Sequence, residues 1–415
     1  MGAAPSTSQP LRIVRVIARL NMGGPAHHVG LLGAGLDPAR YDSLLLYGDL
    51  GAGEDSLEPS VRARGIRMEH VPGLSPEIRP WGDVRALLAL IREIRRRRPD
   101  IVHTHTAKAG MLGRLAAILA LRPRPLIVHT YHGHVLEGYF GRAKTALYRG
   151  LERWLAKRSD ALIGVSSATV DDLVRLGVGD RAKFRVIPIG LDLDPFVQAS
   201  SAAGEAFREE TGVREGELLL TFVGRLVPIK RVDVLLRAVC HARELGAPVR
   251  LAVVGDGGLR PELEALAGEL GIADAVYFAG YRGDMVPVAA AGDFAVLSSD
   301  NEGTPVSLIE AAAAAKPAAS TSVGGVPDVV LPECGLLTPP GEPRALGEAI
   351  AALAGDAERR ASMGEAARRH VTQRFTVERL VSDIGHLYED LIRETRAMVD
   401  RTSGPARVQR QAPDV

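Results

Sequence analysis

The feature that most constrains this chain is an alternation of short apolar runs with stretches of helical periodicity, and the alternation occurs twice. In the front half the runs are LRIVRVIARL (11 to 20), DSLLLY (42 to 47), DIVHTH (100 to 105), LIVHTY (126 to 131), ALIGVS (161 to 166) and FRVIPI (184 to 189). Helical patterns such as WGDVRALLALIREIRRRR, AGMLGRLAAILA and KTALYRGLERWLAKR lie between them. A Gly, Asp and Pro cluster, IGLDLDPF (189 to 196), interrupts the rhythm. It restarts with ELLLTFVG (217 to 224), VRLAVVG (249 to 255), AVYFAG (275 to 280) and DFAVLSS (293 to 299). Strands that are apolar on both faces need cover on both faces, which parallel sheets obtain from crossover helices. The expectation is an α/β protein of two facing Rossmann-like, doubly wound domains.

Length agrees, because 415 residues suit two domains of roughly 200 each. The expected boundaries are 1 to 190, 191 to 375, a C-terminal helix over 376 to 400, and a disordered tail over 401 to 415. Two cysteines, Cys240 and Cys334, are too few for a disulfide framework or a thiolate metal site. No apolar stretch has the roughly 18 residues of a membrane span, and the opening MGAAPSTSQP lacks the pattern of a secretory signal. A cytoplasmic protein, peripheral at most, is expected. Aromatics at 4% are too sparse for a stacking platform that binds nucleic acid.

Net charge is +1, yet it is unevenly spread. Residues 1 to 190 carry 28 Lys and Arg against 17 Asp and Glu, a balance of +11, and the remainder carries 23 against 33, a balance of −10. The front half thus suits an anionic partner such as a phosphorylated substrate or an anionic membrane. Two stretches concentrate that charge: Arg95 to Arg98, and the amphipathic segment 141 to 158, where Leu147, Leu151, Trp154 and Leu155 form an apolar stripe among cations. A core-facing helix with a solvated basic face reads the same way from sequence.

Several segments at strand ends carry chemistry. Gly23, Gly24 and Pro25 follow the first strand at the mouth of a helix, where bare backbone approaches an anion, although the full dinucleotide fingerprint is missing. Arg225 and Lys230 in VGRLVPIKR would clamp a diphosphate, or else are solvated surface cations. NEGTPVSLIE holds Glu302 and Glu310, with Pro305 expected in the first turn of a helix and free amides around Thr304 to Ser307. Histidines crowd the front half: His103 and His105, then His129, His132 and His134. No Asp, Glu or Cys joins them at ligand spacing, so no metal is expected. Lys108, also past a strand, is a candidate phosphate contact.

Together these segments resemble the retaining family-four glycosyltransferases, nucleotide-sugar enzymes of the GT-B fold. The likeness runs from about Ile13 to Leu391. It rests on the Gly-Gly-Pro turn, FVGRLVPIK, VVGDG (253 to 257), FAGYR (278 to 282), NEGTPVSLIEA and VGGVPDVV (323 to 330), in the family's order. VIPIGLDLDPF resembles the interdomain linker, with Ile189 where Asn is usual, and Ala315 stands where the family commonly has Gly. The resemblance implies an acceptor-binding first domain, a nucleotide-sugar-binding second domain, and a final helix that crosses back. It implies that His132, Arg225, Lys230 and Glu302 are catalytic. It further implies that the donor is held by Gly23, Gly24, Gly255, Tyr281, Arg282, Gly303, Thr304, Pro305 and Glu310, and the acceptor by His105, Lys108 and His134. The reaction implied is hexosyl transfer with retention, without metal or cofactor, from a nucleotide-sugar (UDP chosen, GDP open). The acceptor implied is a saccharide, polyprenyl-diphosphate-linked as in bacterial exopolysaccharide, capsule or lipid-linked oligosaccharide assembly. A nucleotide-sugar 2-epimerase of the same fold and a non-catalytic nucleotide-sugar-binding protein are the alternatives.

Overall fold

The computed structural model describes residues 9–21, 23–51, 53–133 and 142–402. A first sheet contains β1 (Leu11–Ile17), β2 (Tyr41–Tyr47), β3 (Met68–His70), β4 (Ile101–His105), β5 (Leu126–Tyr131), β6 (Ala161–Gly164) and β7 (Phe184–Val186). Its strands are parallel and ordered β3-β2-β1-β4-β5-β6-β7. A second sheet contains β8 (Leu218–Val223), β9 (Val249–Val254), β10 (Val276–Gly280), β11 (Phe294–Leu297), β12 (Ala318–Thr321) and β13 (Gly335–Thr338). It too is parallel, ordered β10-β9-β8-β11-β12-β13. This is the doubly wound arrangement expected from the repeated alternation. The strands β3, β12 and β13 escape the sequence reading because MEH, AAST and GLLT are short and carry no apolar run.

Helices of the front half are α1 (Gly24–Gly35), α2 (Glu58–Ala63), α3 (Pro80–Arg97), α4 (Ala107–Ala120), α5 (Arg142–Arg158) and α6 (Ser167–Arg175). Then come α7 (Asp194–Val197), α8 (Ala202–Thr211), α9 (Val232–Glu244), α10 (Arg260–Glu269), α11 (Val286–Ala291), α12 (Val306–Ala313), α13 (Pro343–Gly355), α14 (Ala357–Arg374) and α15 (Val377–Thr402). The strand order reverses beside β1 in one sheet and beside β8 in the other, and such switch points are where open α/β sheets leave a crevice for ligands.

The last helix closes the fold. Leu380, Ile384, Leu387 and Tyr388 recur at helical spacing and are buried against Ile13, Leu32, Ile101, Val128 and Ile163 of the front half. Each such side chain contributes about 1.5–3 kcal/mol on burial. Arg379 fixes the crossing by donating to the carbonyls of Pro188 (2.7 Å) and Ile189 (2.9 Å). The segment read as a tail lies outside the described residues beyond Thr402, while Arg401 and Thr402 are helical.

Candidate functional site

At the carboxyl ends of β8 and β11 the second half assembles a charged knot. The Lys230 ammonium donates to Oε1 of Glu302 at 2.5 Å, and the Ser299 hydroxyl donates to the same oxygen at 2.6 Å. Both partners of the ion pair are largely shielded from water, which strengthens a charge-assisted bond. Side-chain hydroxyls hold the knot's backbone in place: that of Ser298 donates to the carbonyls of Lys230 (3.0 Å) and Arg231 (2.8 Å), and that of Thr321 to the carbonyl of Ser299 (2.8 Å). The Glu302 carbonyl accepts from the Gly325 amide at 3.0 Å. Gly324, at φ +50, lies so close that a Cβ there would be 1.8 Å from that carbonyl oxygen. The VGGVP segment is therefore the floor under Glu302, and only glycine fits it.

Pro305 caps α12 rather than entering it, and Val306 is its first residue. The amides of Val306 and Ser307 have no intrahelical acceptor, that of Leu308 donates to the Pro305 carbonyl, and the buried hydroxyl of Thr304 has no partner among the described residues. Glu310 follows on α12 and lines a narrow crevice with Thr221, Val223, Met285 and Ser307. Burial pushes its carboxyl up to about 7.

Arg225 is exposed, and its side chain has no partner among the described residues, so it is free to meet a ligand. Gly255, at φ +130, lets β9 turn against Gly224, whose carbonyl would sit 2.0 Å from a Cβ. Tyr281 is exposed after β10. Arg282 beside it is already engaged: it pairs with Glu210 and lies over the Phe207 ring at 5.4 Å.

The front half contributes a layer of imidazoles. Nδ1 of His105 lies 3.2 Å from Nε2 of His132, so one proton is shared between them. His28, from α1, meets His132 edge-on at 4.8 Å between ring centres. Ligand nitrogens of His28, His105 and His132 fall within 4.8 Å of one another. Both His28 nitrogens and Nε2 of His105 are buried without a partner among the described residues. His103 joins the layer through Tyr388 (2.6 Å) and Thr130 (2.7 Å). Burial pushes His132 down to about 4 and His28, His103 and His105 well below their ordinary value. The donor set is one a soft divalent ion accepts, but buried Arg15 stands beside it, bonded to Ser43 (3.0 Å) and the Val29 carbonyl (2.7 Å) rather than to a carboxylate. That positive charge opposes a second cation. His28 was missed in the sequence; the signal was its position four residues after Gly24, one turn along the inward face of α1.

Gly23 caps α1 in extended backbone with Pro25 in the first turn, and a Cβ at Gly24 would meet open space, so that helix mouth faces outward unobstructed. Lys108 departs from the role expected for it. Its ammonium is held by Asp83 and by the Glu77 carbonyl, leaving little of it for a phosphate. His134 lies outside the described residues.

The two halves meet at this point. A Cβ on Gly303 would be 2.9 Å from the His132 carbonyl oxygen, and the Ser167 amide donates to Asp328 at 2.8 Å. The segment of His132, in the first half, is thereby brought against the loop of Gly303 and Glu302, with Lys230 bonded to Glu302, in the second.

Comparison with known proteins extends this picture. The model for Glycosyltransferase Family 4 matches residues 22–195, and that for Glycosyl transferases group 1 matches residues 204–370. The chain is 30% identical over 289 residues to the UDP-Gal:alpha-D-GlcNAc-diphosphoundecaprenol alpha-1,3-galactosyltransferase of Escherichia coli, covering 69% of this chain and 73% of that one. It is 33% identical over 328 residues to the D-inositol 3-phosphate glycosyltransferase of Xylanimonas cellulosilytica, covering 73% and 77%. Among solved structures, Anabaena Alr3699/HepE in complex with UDP and glucose superposes with a TM-score of 0.77 at 22% identity, over 92% of this chain and all of that one.

Proposed function

This chain belongs to the family 4 glycosyltransferases of GT-B fold, and from that premise we propose that it moves a hexosyl group from a UDP-sugar to a polyprenyl-diphosphate-linked saccharide with retention, in cell-surface polysaccharide assembly. The observation that carries this reading is the Lys230–Glu302–Ser299 knot, whose next residue, Gly303, lies against the backbone carbonyl of His132. The E. coli relative supports the choice of donor and acceptor by its name.

In this reading the donor lies on the second half. Arg225 and Lys230 neutralise the departing diphosphate as its charge grows, which lowers the barrier because the interaction is stronger in the transition state than in the ground state. Glu302 accepts hydrogen bonds from sugar hydroxyls, and Glu310, desolvated and without a hydrogen-bond partner among the described residues, takes the ribose diol. Free amides after Gly303 and at the mouth of α1 face the donor's oxygens. The base lies near Tyr281 and Arg282, where Arg282 contributes through its packing on Phe207. His132, held neutral by burial, accepts or donates one hydrogen bond to the transferred sugar. The acceptor oxygen attacks the anomeric carbon from the face the diphosphate leaves, and the leaving phosphate oxygen takes its proton. No protein base is needed, and no metal is invoked. The basic front half faces the acceptor and the anionic membrane that carries it, and His105, fully buried, acts through its bond to His132.

The test is a melting panel of UDP, GDP and ADP with their sugar conjugates, run with EDTA. It is followed by transfer to GlcNAc-diphosphate-polyprenol in detergent and NMR of the product anomer. UDP at 100 times its dissociation constant adds about 2.7 kcal/mol of stability. A response to no nucleotide, or an inverted product, overturns the reading. Transfer to inositol phosphate instead would move the acceptor to the class named for the Xylanimonas cellulosilytica relative.

A further inference from the structure

Helix α3 buries Ala86, Leu90 and Ile94 against the first sheet, as an amphipathic helix should. Its opposite face is not polar. Trp81 is 89% exposed, Val84 52% and Leu88 61%, at spacings that place all three on one outward stripe, with Ile78 at 64% just before the helix. The two carboxylates of α3 are turned aside: Asp83 pairs with Lys108, and Glu93 with Arg96. Arg85, Arg92 and Arg95 continue the exposed surface. The outward face is thus apolar at one end and cationic at the other, with no free acid.

The neighbouring helices extend it. The α3 helix packs on α4, and Arg114 of α4 is bonded to Glu152 of α5, so the three form one layer on one side of the sheet. On that layer Leu119 and Leu147 are also exposed, and Arg158 stacks on partly exposed Trp154 at 4.0 Å. Most exposed large hydrophobic side chains of the described residues lie on this layer or at its edge. The Arg95 to Arg98 cluster is a weaker element than the sequence suggested, because Arg96 and Arg97 are spent on Glu69 and Glu93. The stripe begins beside the crevice: the carbonyl of Glu77, adjacent to Ile78, binds Lys108 in the first turn after β4.

We propose that the outer face of α3, led by Trp81, Val84 and Leu88 with Arg85 and Arg92, docks on an anionic lipid bilayer, with α4 and α5 beside it. The proposal rests on the transferase reading for its purpose, since a polyprenyl acceptor keeps its chain in the membrane while its diphosphate-sugar enters the crevice. The occupant is argued from charge and shape. A stripe of Trp and aliphatic side chains flanked by arginine, its acids Glu77, Asp83 and Glu93 each paired with a cation, matches the boundary between headgroups and acyl chains, and the front half's balance of +11 attracts the surface.

The experiment uses the full chain and vesicles of phosphatidylcholine with and without phosphatidylglycerol. Wild type is expected to co-sediment with the anionic vesicles only. In Trp154→Phe, which leaves Trp81 as the sole tryptophan, emission is expected to shift to the blue on vesicle addition. Trp81→Asp with Leu88→Asp is expected to weaken vesicle binding by about tenfold or more, and Arg85→Glu with Arg92→Glu to remove the dependence on phosphatidylglycerol, while the melting shift given by UDP stays unchanged. Unaltered vesicle binding in both double variants overturns the proposal. So does a wild-type dimer in sedimentation velocity that Leu88→Asp dissociates, which would make this face a protein interface. Vesicle binding without any nucleotide response would sink the transferase reading and leave the docking face standing; transfer to soluble acceptor without vesicle binding would do the reverse.

Discussion

The carbonyl oxygen of His132 occupies the space that a side chain on Gly303 would need, 2.9 Å from the position of its Cβ. That contact joins the end of the first sheet to the loop carrying Glu302. Gly303→Ala is expected to push the two segments apart by several tenths of an ångström and to reduce transfer more than tenfold (about 1.4 kcal/mol), with a smaller loss in melting temperature. Wild-type transfer in that variant would show that the spacing of the halves is not what sets the site.

Glu302→Ala should lower kcat by about a hundredfold or more and leave the far-UV spectrum unchanged. Lys230→Ala removes the cation from the same knot, and its loss should appear both in kcat and in the UDP melting shift. The pair is coupled by direct contact, so the double variant should cost less than the sum of the single losses. Additive losses would separate the two roles.

Ala315 sits in left-handed backbone at φ +58, where a Cβ costs roughly 1–2 kcal/mol. Glycine removes that strain at a smaller cost in unfolded-chain entropy. Ala315→Gly is expected to raise stability by about 0.5–1 kcal/mol in urea titrations. A destabilised variant would mean the Ala side chain has packing value that outweighs its backbone.

The buried imidazoles make stability depend on pH. His28, His103, His105, His129 and His132 are held neutral in the fold, whereas in the unfolded chain each takes a proton below about 6.5. The unfolded state then binds more protons, so stability falls as pH drops from about 6.5 towards 4. Each imidazole that stays neutral in the fold contributes a loss approaching about 1.4 kcal/mol for every pH unit below that point. Urea midpoints between pH 8 and 5 measure this, and His28→Asn should flatten the slope. A flat profile in wild type would contradict the burial of these rings.

Glu310 titrates in the opposite sense. Its carboxyl, raised to about 7, must be ionised to accept two hydroxyl hydrogens from a ribose. UDP affinity should weaken as pH falls from 8 to 6, and binding near pH 7 should release a fraction of a proton, visible as a buffer-dependent heat in calorimetry. Glu310→Gln should abolish the proton release. Its persistence would assign the titration elsewhere.

Much of the architecture was legible because buried parallel strands leave continuous apolar runs: β5 begins and ends at the residues read from LIVHTY, and β9 takes all of VRLAVVG except the final Gly255. The strands β3, β12 and β13 were not, since short stretches of small or polar residues take strand form only when a neighbouring edge offers its hydrogen bonds. The loop pairing of Glu302 with Lys230 was foreshadowed by two motifs, but their contact spans 72 positions.

Local order, then, was determined by the sequence itself: periodicity set which segments are strands or helices, and glycines marked where backbone must pass close to backbone. What only the tertiary structure decided was which side chains remain available. Lys108 and Arg96 read as free cations until Asp83 and Glu69 closed on them, while Arg225 stays open. His28 became part of a site because α1 carries it over the ends of β4 and β5. Charge neutralisation and burial depend on partners distant in the chain, and no local pattern specifies them; the exposure of Trp81 on α3 is settled in the same way, by which face of the helix the sheet has already claimed.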